Sequence, residues 1–368
     1  MKKKIAIIHN LPVGGGLRML NAIIERYKLN CDIDVISISN KFNYQVDGVT
    51  HINIKVSPWK GFILYNFWLI FILPYIHKNV AKKYEWSKYD FVFATHDYFT
   101  KSPYLLRYLK NRVIYLCQEP QREYYESWNI HAPYLKDKIA NLFRYPVKVI
   151  DEINVRFVSK IICNSKYSKE IIQKVYRVKC DVVYPGVDEK LFFPTAAKKE
   201  DIILCVGRIN MVKGQDFIIN SLRPILRKYN LMLIGNGRKE DIQYIEKLTR
   251  NNQNINIKNS VSDIELVDYY RKARVTCIAA HNEPFGLSSI ESQACGTPVV
   301  SVNEGGPRET IINGVTGFLV NRNEKDYLRK TILAIKNCDK IKIKSVKNIV
   351  DNWTWNKTLK PLDKYFID

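Results

Sequence analysis

Short apolar runs rich in Ile and Val recur along the chain, separated by longer stretches whose apolar residues return every three or four positions. Unbroken apolar runs of four to six residues predict strands buried on both faces of a parallel sheet, and the stretches between them predict amphipathic helices. Two series of such units follow one another. The first predicts strands over 4–9, 33–38, 91–94, 113–116, 160–163 and 181–184, and the second over 202–206, 231–234, 255–258, 275–279 and 298–302. Between them runs the turn-rich segment from Tyr184 through Pro185, Gly186 and Val187 to Pro194, which suits an interdomain connection. The pattern therefore predicts an α/β protein of two Rossmann-like domains, 1–187 and 188–352.

A chain of 368 residues exceeds what one hydrophobic core usually organises, which agrees with two domains. The formal net charge is +22, and both halves share it: 29 Lys+Arg stand against 16 Asp+Glu over 1–188, and 29 against 20 over 189–368. Such a field attracts nucleotide diphosphates, anionic lipid and nucleic acid alike, so charge does not choose among them. The eight cysteines include no CxxC pair and lie mostly in apolar runs, which points to a reducing compartment and a cytoplasmic protein. The opening apolar run is too short for the core of a signal peptide and reads as the first strand.

Chemistry concentrates just past the predicted strands, where parallel sheets meet their ligands. After the first strand, Gly14, Gly15 and Gly16 lead into a helix pattern through Leu20, Ile23, Ile24 and Tyr27. Their amides could approach an anion unobstructed, or the segment could be a plain turn; the spacing is not the GxGxxG of a dinucleotide site. The second series opens with Val206-Gly207-Arg208, then Lys213-Gly214: a planar cationic fork and a mobile point charge that suit a diphosphate, or else a solvated helix start. Further on, Glu283 and Glu291 stand eight residues apart around Phe285, Gly286 and Leu287, where a helix is predicted to begin, with Gly296 where it stops. Amides at that helix start could hold phosphate while the carboxylates accept hydrogen bonds from sugar or ribose hydroxyls. The plainer alternatives are a capping Glu283 and a surface Glu291.

Arg208 with Lys213, Glu283 with Glu291, Gly305-Gly306-Pro307-Arg308-Glu309 and Asn313 through Gly317 to Val320 together resemble glycosyltransferase family 4. Asn164-Ser165, Tyr184 to Asp188, and Ser262-Asp263 through Tyr270 and Ala273 extend the resemblance, which is dense over 160–320 and thinner before. It implies the GT-B fold, with two parallel sheets facing across a cleft and a C-terminal helix over 353–368 rejoining the first domain, and retaining transfer of a sugar from a nucleotide diphosphate to a glycan or lipid-linked acceptor. It also implies that Arg208 and Lys213 hold the diphosphate, Glu291 the ribose and Glu283 the transferred sugar. Gly15 and Gly16 would face the phosphates from the first domain, and the segment at Lys258 would frame the base through its backbone. No cofactor or metal ion is expected, and closure of the domains would exclude water.

In the first half, Cys117-Gln118-Glu119-Pro120-Gln121-Arg122 resembles a Cys-His-x-Pro-x-Arg segment of members that often use GDP-mannose, which favours mannose as the sugar. Gln118 stands where that segment has histidine, so the histidine's role in orienting the donor sugar falls to Gln118, to His96, or is lost. His96 could equally bind neighbouring backbone at a strand end. Asp32-Ile33-Asp34 is a DxD, the manganese signature of the other major sugar-transferase fold, but it opens a strand far in sequence from the donor motifs. Residues 61–76 are mostly apolar, too few to span a bilayer, and read as a buried helix or as an interfacial helix contacting an anionic membrane. The rival functions are a GT-B-like nucleotide-sugar epimerase or phosphorylase and, in another class, a basic nucleic-acid-binding protein; the latter lacks a recognisable binding module, and no nucleic acid is expected as a partner.

Overall fold

The computed structural model describes residues 2–39, 46–109, 112–250 and 252–367. The chain divides into two compact units, Met1–Tyr184 with Leu359–Asp368, and Pro185–Thr358. Each is a doubly wound α/β unit around one parallel sheet.

The first unit has seven parallel strands: β1 (Lys3–Asn10), β2 (Cys31–Ile38), β3 (Thr50–Ile54), β4 (Phe91–Asp97), β5 (Val113–Leu116), β6 (Lys160–Cys163) and β7 (Cys180–Val182), in the order 3-2-1-4-5-6-7. Ile5 pairs with Ile33 on one side and Phe91 on the other, so the Ile-rich first strand is central and buried on both faces. The edge strand β3 escaped the apolar pattern because its sequence, Thr50-His51-Ile52-Asn53-Ile54, is half exposed. The strand order reverses between β1 and β4, which opens a crevice at their carboxyl ends.

The second unit repeats the scheme with β8 (Ile202–Val206), β9 (Asn230–Ile234), β10 (Ile255–Lys258), β11 (Val275–Ile278), β12 (Val299–Val302) and β13 (Gly317–Val320), in the order 10-9-8-11-12-13. This is the 3-2-1-4-5-6 order of a Rossmann sheet, with its switch point between β8 and β11. Only β13 was missed in the sequence pattern, where its residues stand out as a glycine-bearing motif rather than an apolar run.

The predicted boundary and the predicted terminal helix both need correction. The second unit begins at Pro185 and keeps the chain until Thr358. Val187 N donates to Trp353 O (2.8 Å), and a Cβ on Gly186 would lie 2.6 Å from Trp355 N, so residues 353–358 are pinned to the second unit. No single helix covers 353–368. A helical turn at Trp355–Thr358 gives way at Pro361 to a 3-10 turn (Lys360–Leu362) and a last turn (Asp363–Phe366), which pack on the first unit. There Phe366 stacks on Tyr27 at 4.2 Å, and Arg26 and the Tyr27 hydroxyl both donate to Asp363.

The apolar segment 61–76 is helical and continues to Lys83, with a π-helical stretch at Trp68–Ile72 in its middle. Trp68, Leu69 and Leu73 point into the core, whereas Ile63, Phe67 and Phe71 are exposed. The segment thus buries one face in the core and leaves an apolar face exposed. No helix among the described residues is long and apolar enough to cross a membrane.

Candidate functional site

In the second unit the chain leaves β8 at Val206, turns at Gly207 and exposes Arg208. Asn210 then caps a short turn by accepting from Lys213 N (3.1 Å), and Gly214 follows with φ +64°. A Cβ on Gly214 would lie 2.3 Å from Ala279 O, so only glycine lets this turn sit against the end of β11. His281 N donates to Val212 O (2.7 Å) from the other side. These contacts carry Lys213 across the switch point to Glu283, where Nζ meets Oε2 at 2.5 Å.

Glu283 is fixed through its backbone. Its carbonyl accepts from Gly306 N (2.7 Å), and a Cβ on Gly305, whose φ is +65°, would lie 2.3 Å from that carbonyl oxygen. The double glycine is therefore a steric requirement for bringing the segment after β12 against Glu283. Gly286 (φ +88°) starts the helix Leu287–Ala294, and Phe285 behind it is buried near the Trp353 ring at 5.7 Å. The N-cap of this helix is Gly286, which has no side chain, and the Glu283 carboxylate goes to Lys213 instead. Glu291 is not a surface residue: it is 5% exposed and accepts from the Tyr270 hydroxyl (3.0 Å). The helix is buried on nearly all sides, so its polar residues bond inward, Ser292 to Thr276 (2.7 Å) and Gln293 to Thr310 O (3.1 Å).

Lys258, at the end of the edge strand β10, pairs with Glu265 (2.8 Å) and lies over the Tyr269 ring (5.1 Å). The side-chain contacts around it do not include Arg208, Lys213 or Glu283.

In the first unit the helix Gly15–Tyr27 starts within the glycine run, with Gly14 at its N-cap and so no capping side chain at that position. A Cβ on Gly16 would lie 2.9 Å from Gln118 Nε2, so the Gln118 amide occupies the helix start. At the same sheet edge, Asp97 accepts from Asn10 (3.2 Å), Phe99 N (2.7 Å) and Thr100 N (3.1 Å), yet burial still pushes its carboxyl up to about 6. His96 is lowered to about 3, first by burial and then by the nearby Lys101 charge, and is neutral at pH 7.

Sequence reasoning overlooked the partners of these residues. Lys101, held at φ +59° in the tight turn that follows β4, reaches Glu119 (2.9 Å); Arg122 continues to Glu126 (2.9 Å), and Glu126 to His131 (2.9 Å). Burial alone would raise Glu119, but Lys101 and Arg122 hold it at about 2. Glu119 and Arg122 stood in the noted Gln118 segment, but nothing local in the sequence marks Lys101. The DxD pair is structural on its inner side: Asp34 accepts from the Tyr89 hydroxyl (2.6 Å), while Asp32 is exposed. No group of three or more His, Cys, Asp or Glu that could hold a metal ion exists among the described residues.

Residues 187–352 match the family model Glycosyl transferases group 1. The match spans most of the second unit and less than half of the chain. The matched stretch contains Arg208, Lys213, Glu283 and Glu291. A D-inositol 3-phosphate glycosyltransferase of Xylanimonas cellulosilytica is 30% identical over 202 residues, 48% of this chain and 48% of that protein. The chain spans between 48% and 60% of the length of the first curated relatives it matches.

The likeness to solved structures covers nearly the whole chain and speaks for the fold. Sucrose-phosphate synthase from Thermosynechococcus elongatus superimposes with a TM-score of 0.77 over 99% of this chain and 98% of that one, at 16% identity. Anabaena Alr3699/HepE, solved in complex with UDP and glucose, gives 0.71 over 98% of each chain at 15% identity. The architecture is that of GT-B glycosyltransferases: two Rossmann-like units, each with its own parallel sheet.

Proposed function

We propose that the chain is a retaining glycosyltransferase that moves a hexose from a nucleoside diphosphate to a hydroxyl of a glycan or lipid-linked acceptor without a metal ion. The observation that carries this reading is the contact of Lys213 with Glu283 at the switch point of the second unit, beside exposed Arg208 and the start of the helix Leu287–Ala294. Breaking the bond from the anomeric carbon to phosphate builds positive charge on the sugar and negative charge on the leaving diphosphate. Arg208, Lys213 and the first amides of that helix are preorganised donors for the negative charge. In this reading the donor's diphosphate replaces Glu283 as the partner of Lys213, and the freed carboxylate accepts hydrogen bonds from the sugar. Glu291, aligned by Tyr270, takes the ribose hydroxyls. With Glu283 so engaged, attack from the face the diphosphate leaves, assisted by that phosphate, accounts for retention. The eight cysteines, all buried and unpaired, suit work in the reducing cytoplasm.

Mannose from GDP-mannose is the favoured donor, on the segment Cys117 to Arg122 whose Gln118 lies against Gly16. UDP-glucose is the second reading, supported by the Anabaena structures with UDP and with UDP-glucose. A thermal-unfolding panel of GDP, UDP, GDP-mannose and UDP-glucose, each with and without EDTA, tests both. A ligand at a hundredfold over its Kd stabilises by about 2.7 kcal/mol, which moves the midpoint of a unit of this size by roughly 5 to 11 °C. A shift with GDP ligands that survives EDTA is expected; a shift with UDP ligands alone would move the donor to the second reading, and no shift with any nucleotide would overturn the site.

A further inference from the structure

An amphipathic helix normally turns its apolar stripe inward. In the first unit the helix Leu135–Phe143 does the opposite. Leu135, Ile139, Leu142 and Phe143 are spaced along one side and are 74%, 48%, 67% and 58% exposed, while its buried residue is the polar Asn141. The outer face of the helical segment 62–83 presents Ile63 at 76%, Phe67 at 47% and Phe71 at 60% exposure. The Phe62 ring meets the Phe143 ring edge-on at 5.6 Å, so the two helices share one apolar surface.

The charge around this surface has one sign. Residues 59–83 carry Lys60, Lys78, Lys82 and Lys83 and no Asp or Glu; residues 134–149 carry Lys136, Lys138, Arg144 and Lys148 against Asp137 alone. An exposed apolar stripe flanked by cations matches the boundary of an anionic bilayer, where apolar side chains enter the acyl region and ammonium groups meet lipid phosphates. A protein partner or a second copy of this chain would have to bring its own acidic rim, and the copy's rim is basic.

We infer that the helices 62–83 and 135–143 form a docking face for an anionic membrane surface, with Ile63, Phe67, Leu135 and Leu142 inserted and Lys60, Lys136 and Lys138 against the headgroups. The face needs neither donor nor acceptor, so it stands or falls separately from the sugar-transfer reading.

Co-sedimentation of the full chain with vesicles of phosphatidylglycerol and phosphatidylcholine tests it, against vesicles of phosphatidylcholine alone. Binding to the mixed vesicles that weakens with salt is expected. The double variant Lys136→Gln/Lys138→Gln should lower the partition coefficient about thirtyfold at low salt. Ile63→Asn/Leu142→Asn should lower it at least about a hundredfold. Since Ile63, Leu142 and Lys136 are exposed, all variants should keep the parent's thermal midpoint. Equal binding to both vesicle types, or parent-like binding by both double variants, would overturn the inference. So would the absence of vesicle binding together with a concentration-dependent dimer, seen by sedimentation velocity and abolished by Ile63→Asn/Leu142→Asn, which would assign the face to a second copy.

Discussion

Lys213 and Glu283 neutralise each other at 2.5 Å in a part-buried site, so removing either leaves the other charge without its partner. Lys213→Ala and Arg208→Ala should each lower kcat/KM by about thirtyfold to a thousandfold, which is about 2 to 4 kcal/mol, with the loss mainly in kcat because the charge they meet grows as the bond breaks. Steady-state kinetics on folded variants checks this; parent-like turnover in both would assign these cations to structure. Tyr270→Phe should act differently. It removes the hydroxyl that holds Glu291 while leaving the ring in place, so KM for the donor should rise several-fold with kcat little changed. Buried histidines lower stability on the acid side, against the buried carboxyls of Asp97 and Asp151, whose raised values of about 6 act in the opposite sense. His9 and His77 are buried, and burial lowers them to about 4 and about 3. Below the ordinary value near 6.5 the unfolded chain binds protons that the fold refuses, so stability falls as pH falls, by up to about 1.4 kcal/mol per pH unit for each group. Urea midpoints at pH 7 and pH 5 should therefore differ, and His77→Gln, which keeps an acceptor for Leu105 N, should lose its share of that difference.

At the scale of elements, the glycines decide how closely the loops can meet. Gly305→Ala would place a Cβ 2.3 Å from the Glu283 carbonyl at a φ of +65°, so the loop must move. The expected outcome is a lower thermal midpoint together with lost donor binding, whereas Gly314→Ala, at φ +77° but with open space around it, should cost stability alone. Calorimetry and nucleotide titration on the pair separate steric from conformational effects. The same elements show what could be read before the structure. The buried strands announced themselves as apolar runs because parallel sheets are covered on both faces, and the helix Leu287–Ala294 was marked by glycines at both ends. Strands β3 and β13 were missed because an edge strand and a short strand inside a glycine motif carry no such run. The residue types that gather after β8 and β11 were legible; their pairing was not. Nothing in spacing tells that Lys213 reaches Glu283, that Tyr270 holds Glu291, or that Lys101 joins Glu119, because each pair is brought together by a crossover connection rather than by helix or strand period.

For the molecule as a whole, the decisive feature is that the chain enters the second unit once and leaves it once, while the first unit is assembled from two distant stretches. Deleting residues 359–368 would uncover the surfaces that Leu359, Leu362 and Phe366 bury almost completely, at roughly 2 kcal/mol or more each. That sum rivals the net stability of an ordinary domain. The truncated protein should therefore yield, under limited proteolysis, a resistant fragment close to 185–358 and a digested first unit; equal resistance of both would show that the terminal turns are dispensable. The two-part first unit also reverses a usual order of events. Domains commonly complete themselves in the order in which they emerge from the ribosome. Here residues 359–367 emerge only after the entire second unit, so the amino-terminal sheet waits, with Tyr27, Phe91 and Phe93 lacking the Phe366 ring that covers them, until the later-made unit has already closed. Nascent chains that end at residue 358 and are stalled on a flexible tether long enough to clear the ribosome should show a protected second unit and an unprotected first one.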